Sequence, residues 1–410
     1  MYCFHYGKKG TVAMKLIKYN FLNYIISITI ITSLWTYSYS KEILIRHLKP
    51  PKLELHNWGK QILCHRPMRL GSPKMEIEHY NNKIIAHNYG FGGSGWTLAP
   101  GSAHFIVNAF KTIYNPQNNL NDHLQESIVV IGAGALGLFT EYELIKNGYA
   151  NITIIAEQFE NLTSHNAGGF LAPSTMEVDA QMQQHIETIC FDAYRFYAKI
   201  AHGENNDFPS NGALIMPIYL KRYDTRLKTY EGIVMNEPQD VIIDFDNGKH
   251  YEMKVYDDGI FMNTNAIMQA LTIFLKDKVH WVQQHITAFD EIDASYIFNC
   301  SGLGAKNLNQ DNAMISVQGH LMLLKNQNPD DMNYMISFYV DSGQTESGQY
   351  AKRSIYMFPK HIPGDLSTNI GVMGGTFIEN ATDETPNQQE FNLIIQRASE
   401  FFGSSDYVYS

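Results

Sequence analysis

The hydrophobic positions of the chain form continuous apolar runs in one region and alternating or helical patterns elsewhere. The most continuous run, Ile128–Ile131, leads into a stretch of helical period that ends near Gly148, and Ile152–Ile155 forms a second run. Strands in a parallel sheet are covered on both faces, so they read as unbroken apolar runs. The order of run, helix and run predicts a βαβ unit in an α/β fold.

The region from residue 211 to residue 262 shows the alternation that is typical of antiparallel strands. Asn247-Gly248 lies between two such segments, 241–245 and 251–256, and an Asn-Gly turn in this setting predicts a hairpin. We therefore expect a second, mainly antiparallel-sheet domain beside the parallel one. Further strands are predicted at 213–218, 285–287, 295–302, 314–324, 354–359 and 370–377, and helices at 103–110, 178–202, 263–275 and 388–402.

The composition narrows the functional classes. A length of 410 residues suggests about two domains, and 44% hydrophobic residues are enough for sizeable cores. The formal net charge of -10 comes without a basic run, so no nucleic-acid partner is expected. The four cysteines lack CxxC spacing and the 16 histidines form no HExxH motif, so neither a disulfide framework nor a metal site is predicted.

Residues 1–40 do not have the pattern of a globular fold. Four lysines precede an apolar run at 21–35, which is short for a membrane span and is interrupted by Asn23. This pattern predicts a signal peptide or a weak membrane anchor, and hence an exported or membrane-associated protein. The alternative is a mis-assigned upstream start, with Met14 as a candidate true start, which would leave the protein cytoplasmic.

A glycine turn follows the first apolar run. Gly132, Gly134 and Gly137 have the GxGxxG spacing, which permits a tight turn, a close approach to a pyrophosphate and close packing of the next helix. Glu157 follows the second run, twenty positions after Gly137, where a carboxylate can accept hydrogen bonds from an adenosine ribose. The pattern predicts a dinucleotide site; the alternative is an ordinary βαβ unit with a surface glutamate.

Two further motifs precede the glycine turn. In a strand predicted from Lys60 and ended by Pro67, alternation places Ile62, Cys64 and Arg66 on one face. Arg66 is therefore either part of a salt bridge or available for an anion. The glycine-rich stretch 90–95 enters a helix and predicts a second anion or electron-rich-atom site, and the polar segment 111–127 is predicted to be a linker.

These motifs together resemble the D-amino-acid oxidase and glycine oxidase family of FAD-dependent amine oxidoreductases. The matching stretches are VVIGAGALG, AGGFLAP, IFNCSGLGAKNL, CHRPMR and HNYGFGGSGWT. In the family the last two lie near the C-terminus, whereas here they precede the glycine turn. The chain thus resembles a circularly permuted member with a Rossmann-type FAD-binding domain and an antiparallel substrate domain.

The resemblance implies roles for individual residues. Arg66 would hold a substrate carboxylate, Tyr356 would assist it, and the Gly93 carbonyl would receive the amine. His320 stands where many relatives carry Gln. The implied FAD-binding residues are Gly132, Ala133, Gly134, Gly137, Glu157, Thr163, Ser164, Gly168, Ile286, Ser301, Gly92, Gly93, Ser94, Gly95, Trp96 and Thr97.

The implied activity is FAD-dependent oxidation of D-amino acids, glycine or related amines to imino acids by hydride transfer to flavin. The alternatives are a nicotinamide-dependent dehydrogenase and a non-catalytic flavoprotein. Residues 41–110 would complete both domains, the FAD-binding domain would comprise 128–200 and 283–311, and the substrate domain would comprise 201–282 and 312–410.

Overall fold

The computed structural model describes residues 44–114, 126–173, 176, 178–360 and 371–403. The described residues from Ile45 onward belong to one compact unit. The apolar N-terminal run lies outside the described residues, so the predicted signal or anchor stays a prediction. Within the described ranges, no helix is long and apolar enough to cross a membrane.

The chain folds into two sheets with helices packed on them. The strands are β1 Leu44–His47, β2 Trp58–Arg69, β3 Lys74–Tyr80, β4 Lys83–Tyr89, β5 Ile128–Ile131, β6 Ile152–Ala156, β7 Ala213–Leu220, β8 Gln239–Asp244, β9 His250–Met262, β10 His280–Gln283, β11 Tyr296–Asn299, β12 Met314–Leu324, β13 Met335–Gln344, β14 Tyr350–Pro359 and β15 Gly371–Glu379. The helices are α1 Gly95–Tyr114, α2 Ala135–Lys146, α3 Thr163–Asn166, α4 Ala180–Ala201, α5 Thr264–Leu275, α6 Ala305–Leu308 and α7 Gln388–Phe402.

The six-stranded sheet contains the predicted βαβ unit, formed by β5, α2 and β6. Its strand order is β10-β6-β5-β11-β4-β3, and neighbouring strands are parallel except for β3 with β4. Asn299 at the end of β11 lies opposite both Ile131 of β5 and His87 of β4. The carboxyl ends of these three strands therefore meet at one edge of the sheet.

Residues 44–114 contribute to both sheets. Strands β3 and β4 extend the six-stranded sheet beyond β11, while β2 pairs with β12 along most of its length. Helix α1 starts just after β4 and packs against α2 and α4. This early part of the chain consequently brings its glycine-rich stretch to the edge where β5 and β11 end.

The nine-stranded sheet is mainly antiparallel, as the alternating pattern predicted. Its order is β1-β8-β9-β7-β13-β14-β15-β12-β2, and β7 with β13 is a parallel pair. The predicted hairpin joins β8 to β9, and Asp246 and Gly248 have the positive φ angles of such a turn. Helix α7 packs on one face of this sheet, where Phe391 is fully buried.

Pro67 does not end β2, contrary to the prediction. The strand continues to Arg69, and Pro67 lies opposite Ser316 of β12. A proline cannot donate a backbone hydrogen bond, which excludes it from most positions in a sheet. It is tolerated here because β2 is the edge strand of the nine-stranded sheet. The backbone amide of Arg69, two residues further on, donates to the Gly90 carbonyl and not to β12, so the nitrogen of Pro67 also faces the side away from β12.

The strand predicted at 285–287, which includes Ile286, is also wrong. Strand β10 ends before it, and the segment leads into a short 3-10 helix. The carboxylate of Glu291 accepts hydrogen bonds from the backbone amides of Thr287 and Ala288, at 3.1 and 3.0 Å. Because these two amides donate to a side chain, they are not available for the backbone hydrogen bonds that would extend the sheet.

The linker predicted at 111–127 starts later than expected. Helix α1 continues to Tyr114, and residues 115–125 lie outside the described ranges. The amine of Lys111 donates a 2.7 Å hydrogen bond to the side-chain oxygen of Asn147 at the end of α2. A contact between two helices thus extends α1 through a segment whose sequence is polar.

Glu141 on α2 is a buried acid that provides a test of the packing between the helices. Its side chain is inaccessible to solvent, and neither carboxyl oxygen has a hydrogen-bond partner among the described residues. Burial raises the pKa of this carboxyl well above its usual 4.5, so the folded state holds the proton that the unfolded chain releases. The contribution of Glu141 to stability is therefore lost as the pH rises from 4.5 towards the folded-state pKa.

We predict that Glu141→Leu raises the free energy of unfolding at neutral pH by about 1–3 kcal/mol, because a buried, unpaired polar group is removed. The gain should grow between pH 5 and pH 8 in urea unfolding experiments. Glu143→Leu on the same helix is the control, since Glu143 accepts a hydrogen bond from Asn147 at 2.9 Å. If Glu141→Leu lost as much stability as the control, this would contradict the conclusion that Glu141 is buried without a hydrogen-bond partner.

Candidate cofactor and substrate site

The glycine turn after β5 is closely packed against the end of β11. Gly132 has a φ of 103°, and a Cβ there would lie 2.5 Å from the carbonyl oxygen of Cys300. A Cβ on Gly137 would overlap the carbonyl oxygen of Gly132. Both positions therefore require glycine, and together they hold the start of α2 close to the sheet.

The loop that contains α3 connects three parts of this edge. The Ser164 hydroxyl accepts a 3.0 Å hydrogen bond from the backbone amide of Ala135 at the start of α2. The Ser164 carbonyl accepts a 3.0 Å bond from the Trp96 indole N–H at the start of α1, and the Thr163 hydroxyl donates to the His65 carbonyl of β2 at 3.1 Å. The loop therefore fixes both helix starts relative to the nine-stranded sheet.

A cavity of about 170 Å³ lies between the two helix starts. A Cβ on Gly95 would meet no atom within 4 Å, so the backbone there faces open space. The structure thus brings together many of the residues that the sequence assigned to a cofactor. Those that line this cavity are Gly92, Gly93, Gly95, Trp96, Gly134, Thr163, Ser164 and Gly168.

A second cavity, of about 310 Å³, adjoins the first. Arg66, Gly93 and Gly168 line both cavities, so the two meet at these residues. The second cavity extends along the face of β14 that carries Tyr356. Arg66, Gly93 and Tyr356, the three residues that the sequence assigned to the substrate, therefore line the same cavity.

Arg66 is the most unusual group in the second cavity. Its Nη1 donates a 3.1 Å hydrogen bond to the carbonyl oxygen of Thr376, and its guanidinium lies close to the Tyr356 phenol. No carboxylate of the described residues pairs with it. A guanidinium has five N–H donors, and a partly buried one without an anionic partner is unfavourable. The side chain is therefore suited to bind an anion in the cavity.

Tyr356 retains its hydroxyl proton beside this cation. Burial raises the pKa of Tyr356 to about 12, although the nearby Arg66 acts in the opposite direction. The phenol is consequently neutral at physiological pH. Its hydroxyl is able to donate a hydrogen bond to an anion that Arg66 binds.

Three glycines that the sequence analysis did not single out make room for this pair. A Cβ on Gly319 would lie 2.5 Å from Nη1 of Arg66, and one on Gly375 would lie 2.5 Å from the Tyr356 hydroxyl. A Cβ on Gly374 would overlap the Tyr356 ring. Glycine within a strand often marks a close approach of another group, and this signal was present in VQGH and VMGGT.

His320, which stands where many relatives carry Gln, does not line the substrate cavity. It points to the opposite face of β12, where its ring packs edge-on against Phe391 with centroids 4.9 Å apart. Its Nδ1 lies 2.7 Å from the Thr376 hydroxyl. Burial, helped by the positive charge of Arg66, lowers the pKa of His320 to about 4. The ring is therefore neutral and contacts the site only through Thr376.

Thr97 and Ser94 lie near the start of α1. The Thr97 hydroxyl donates a 2.9 Å hydrogen bond to the Ala172 carbonyl, and Ser94 is fully buried. Neither lines the two cavities described above. Their side chains fix the helix start.

The remaining assigned residues are more scattered. Glu157 is exposed at the end of β6, with its carboxylate 3.4 Å from His285. The Ser301 hydroxyl donates a 2.6 Å hydrogen bond to Asn299. Neither of these residues lines the two cavities, and the same is true of Ile286, Ala133 and Gly137.

The parallel sheet, the glycine turn and the joined cavities are typical of a dinucleotide-dependent oxidoreductase. The family model of the DAO FAD-dependent oxidoreductases matches residues 127–409 of this chain. The chain therefore belongs to that family, whose members depend on FAD.

Individual relatives are more distant. The D-amino-acid oxidase of Streptomyces coelicolor is 23% identical over 295 residues, which cover 69% of this chain and 80% of that protein. Glycine oxidase from Bacillus cereus has a TM-score of 0.46 at 12% identity, covering 67% of this chain and 79% of that one. Iminodiacetate oxidase from Chelativorans sp. BNC1 has a TM-score of 0.47 at 13% identity, covering 67% and 79%.

The residues of the first cavity fit FAD. Two helix starts and a glycine turn face it, which offers backbone N–H groups to the phosphates, and Gly95 leaves open space for a ring. Thr163 and Ser164 place hydroxyl groups beside the same cavity. FAD bound there would supply a two-electron acceptor next to the second cavity, which Arg66 also lines.

We predict that Gly134→Val abolishes FAD binding. The added side chain would begin 3.2 Å from the Ser164 hydroxyl and would fill the space that the glycine leaves beside the cavity. The flavin content of the purified protein, measured by absorbance, checks this. Gly343→Val on β13 is the control, since that strand lies away from the cavity. A Gly134→Val protein with full flavin content would show that the turn was assigned to the wrong ligand.

We predict that Gly319→Ala keeps FAD but weakens substrate binding. The new methyl group would occupy the space of the Arg66 guanidinium, which must move. The KM for a carboxylate substrate should rise by about tenfold or more, as expected for the loss of one charge-assisted hydrogen bond. Gly343→Ala is the control, and an unchanged KM in Gly319→Ala would argue against Arg66 as the binding group.

Proposed function

We propose that this protein oxidises D-amino acids, glycine or related amines that carry a carboxylate, and that the products are imino acids. The observation that carries the proposal is the partly buried Arg66 guanidinium, which faces a cavity and has no carboxylate partner among the described residues. The position of this cavity beside the one that fits FAD supports a substrate role. The name of the Streptomyces coelicolor relative, D-amino-acid oxidase, points to the same class.

Arg66 and Tyr356 would hold the substrate by its carboxylate. The planar fork of a guanidinium binds the two carboxylate oxygens together, a geometry that lysine does not reproduce. The Tyr356 hydroxyl adds a donor to the same anion. Once the carboxylate is fixed, the orientation of Cα and the amine depends on rotation about the bond between the carboxyl carbon and Cα.

Gly93 would complete the orientation of the substrate. It lines both cavities, and we assign its backbone carbonyl the role of accepting a hydrogen bond from the amine. Two fixed points, the carboxylate and the amine, direct the Cα hydrogen towards the first cavity. Such orientation supplies much of the rate enhancement when no covalent intermediate is needed.

A strong side-chain base is not required by this arrangement. The described carboxylate that lines the second cavity, Asp224, accepts two hydrogen bonds from the Arg226 guanidinium, at 2.8 and 2.5 Å, and one from the Arg226 backbone amide, at 3.1 Å. Asp224 is therefore engaged in an ion pair with Arg226, whose side chain is half exposed at the mouth of the second cavity. The reaction would depend on binding the amine in its neutral form and on excluding water around the Cα hydrogen.

We propose further that the chain is a circular permutation of the family order. Strand β2, which carries Arg66, lies beside β12, and the glycine-rich stretch after β4 lies beside the glycine turn after β5. Residues 44–114 thus occupy places that the resemblance assigns to a C-terminal segment. Residues 128–200 and 283–311 would form the FAD-binding domain with it, and residues 201–282 and 312–410 the substrate domain.

We predict that Arg66→Ala retains its flavin but loses turnover of amino acids. Removing one partner of a buried ionic hydrogen-bonded pair costs about 3–5 kcal/mol. This corresponds to a roughly hundred- to several-thousand-fold loss in kcat/KM. Anaerobic bleaching of the flavin by D-alanine or glycine measures the loss, and benzylamine, which has no carboxylate, should be affected far less.

Two further variants make this test specific. Arg66→Lys keeps the charge but not the fork, so it should recover only part of the activity. Arg226→Ala removes a paired arginine from the mouth of the same cavity and should leave turnover of D-alanine within a few-fold of wild type. Equal losses on D-alanine and benzylamine, or loss of flavin from Arg66→Ala, would mean that Arg66 supports the fold instead.

A further inference from the structure

Lys360 is a buried cation that the proposed reaction does not use. It directly follows β14, and only 7% of the residue is exposed to solvent. Its side chain borders a third cavity, of about 530 Å³, together with Ala133 of the glycine turn and His165. A buried lysine normally requires a partner for its charge.

Among the described residues, the partners of the Lys360 amine are neutral oxygen atoms. Its Nζ donates to the carbonyl oxygens of His165 and Ala167, at 2.6 and 3.0 Å, and lies 3.3 Å from the Thr264 hydroxyl. No carboxylate of the described residues forms an ion pair with it. Burial lowers the pKa of Lys360 to about 7. In its protonated form the amine has three N–H donors, which these three oxygens satisfy, and in its neutral form it has two.

Two of these acceptors belong to the 163–168 loop, which borders the cofactor cavity. The loop contacts both helix starts through Ser164 and contacts β2 through Thr163, as described above. These contacts hold the first half of the loop. Lys360 holds the second half, immediately before Gly168, which lines both the cofactor and the substrate cavities.

We propose that Lys360 is a positioning residue for the cofactor: its ammonium holds the carbonyls of the 163–168 loop so that Ser164 and Gly168 stay in place to bind FAD. The inference rests on the proposed location of FAD in the first cavity. Lys360 acts through the loop, because its amine is fully occupied by protein oxygens.

The test compares FAD affinity with the stability of the apoprotein. Lys360→Met has a similar length without the charge or the donors, so the loop loses its attachment and the dissociation constant for FAD should rise by about tenfold or more. The visible circular dichroism of the flavin that still binds should change, because the loop no longer holds its position. The melting temperature of the apoprotein should fall little, since a buried charge is removed along with its hydrogen bonds.

Lys60→Met is the matched control. Lys60 borders the same cavity but is exposed, so its loss removes a similar charge without affecting the loop, and FAD affinity should stay within twofold of wild type. Lys360→Arg keeps the charge and several donors, and it should recover part of the affinity that Lys360→Met loses. If Lys360→Met does not fold, the FAD affinity of Lys360→Arg is compared directly with that of the wild type.

Three results would overturn the inference. They are wild-type FAD affinity in Lys360→Met, an equal loss of affinity in Lys60→Met, and a large fall in apoprotein stability with unchanged affinity and dichroism. Gly134→Val separates this inference from the proposed site. If Gly134→Val loses FAD while Lys360→Met binds it normally, only the role of Lys360 is wrong; if Gly134→Val binds FAD normally, the location of the cofactor is wrong.

Discussion

The parallel pairing of β4 and β5 with β11 is the constraint on which the site depends. Neighbouring strands in a sheet lie about 4.8 Å apart, so two strands on either side of a third end about 10 Å from each other. Gly92, Gly93 and Gly95 follow one of these ends and Gly134 follows the other, and all four line the same cavity. The close contact between Gly132 and Cys300 leaves no room to change this arrangement.

Lys360 and Arg66 are two basic side chains that line cavities of the site, and the protein satisfies them differently. The buried Lys360 amine has three oxygen acceptors from the chain itself, which match the three donors of its protonated form. The Arg66 guanidinium is partly buried and has five donors, and among the described residues it donates to the Thr376 carbonyl and lies close to the Tyr356 phenol. Because an unsatisfied buried charge is unfavourable, the first is suited to hold the chain and the second to hold a ligand.

Several elements could be predicted from the sequence because local pattern and tertiary environment agree. The bounds of β12 and α7 agree with the predicted strand at 314–324 and the predicted helix at 388–402. Strand β13 was not predicted, since its outer half is polar and exposed and its pairing with β14 and β7 is set by distant segments. The errors at Pro67 and at 285–287 have the same origin: an edge position and a side-chain cap cannot be recognised without the neighbouring chain.

The sequence by itself determined the chemistry available to this protein: a glycine turn after a buried strand, a second glycine-rich helix start, and an arginine on an apolar strand face. These features follow from local backbone conformation and from side-chain type, which neighbouring residues specify. Only the tertiary structure decided that Arg66 has no carboxylate partner among the described residues, that His320 faces away from the substrate cavity, and that Lys360 contacts the 163–168 loop. Each of these depends on hydrogen bonds between residues far apart in the chain, and such contacts are set by strand register and packing, which no local pattern encodes.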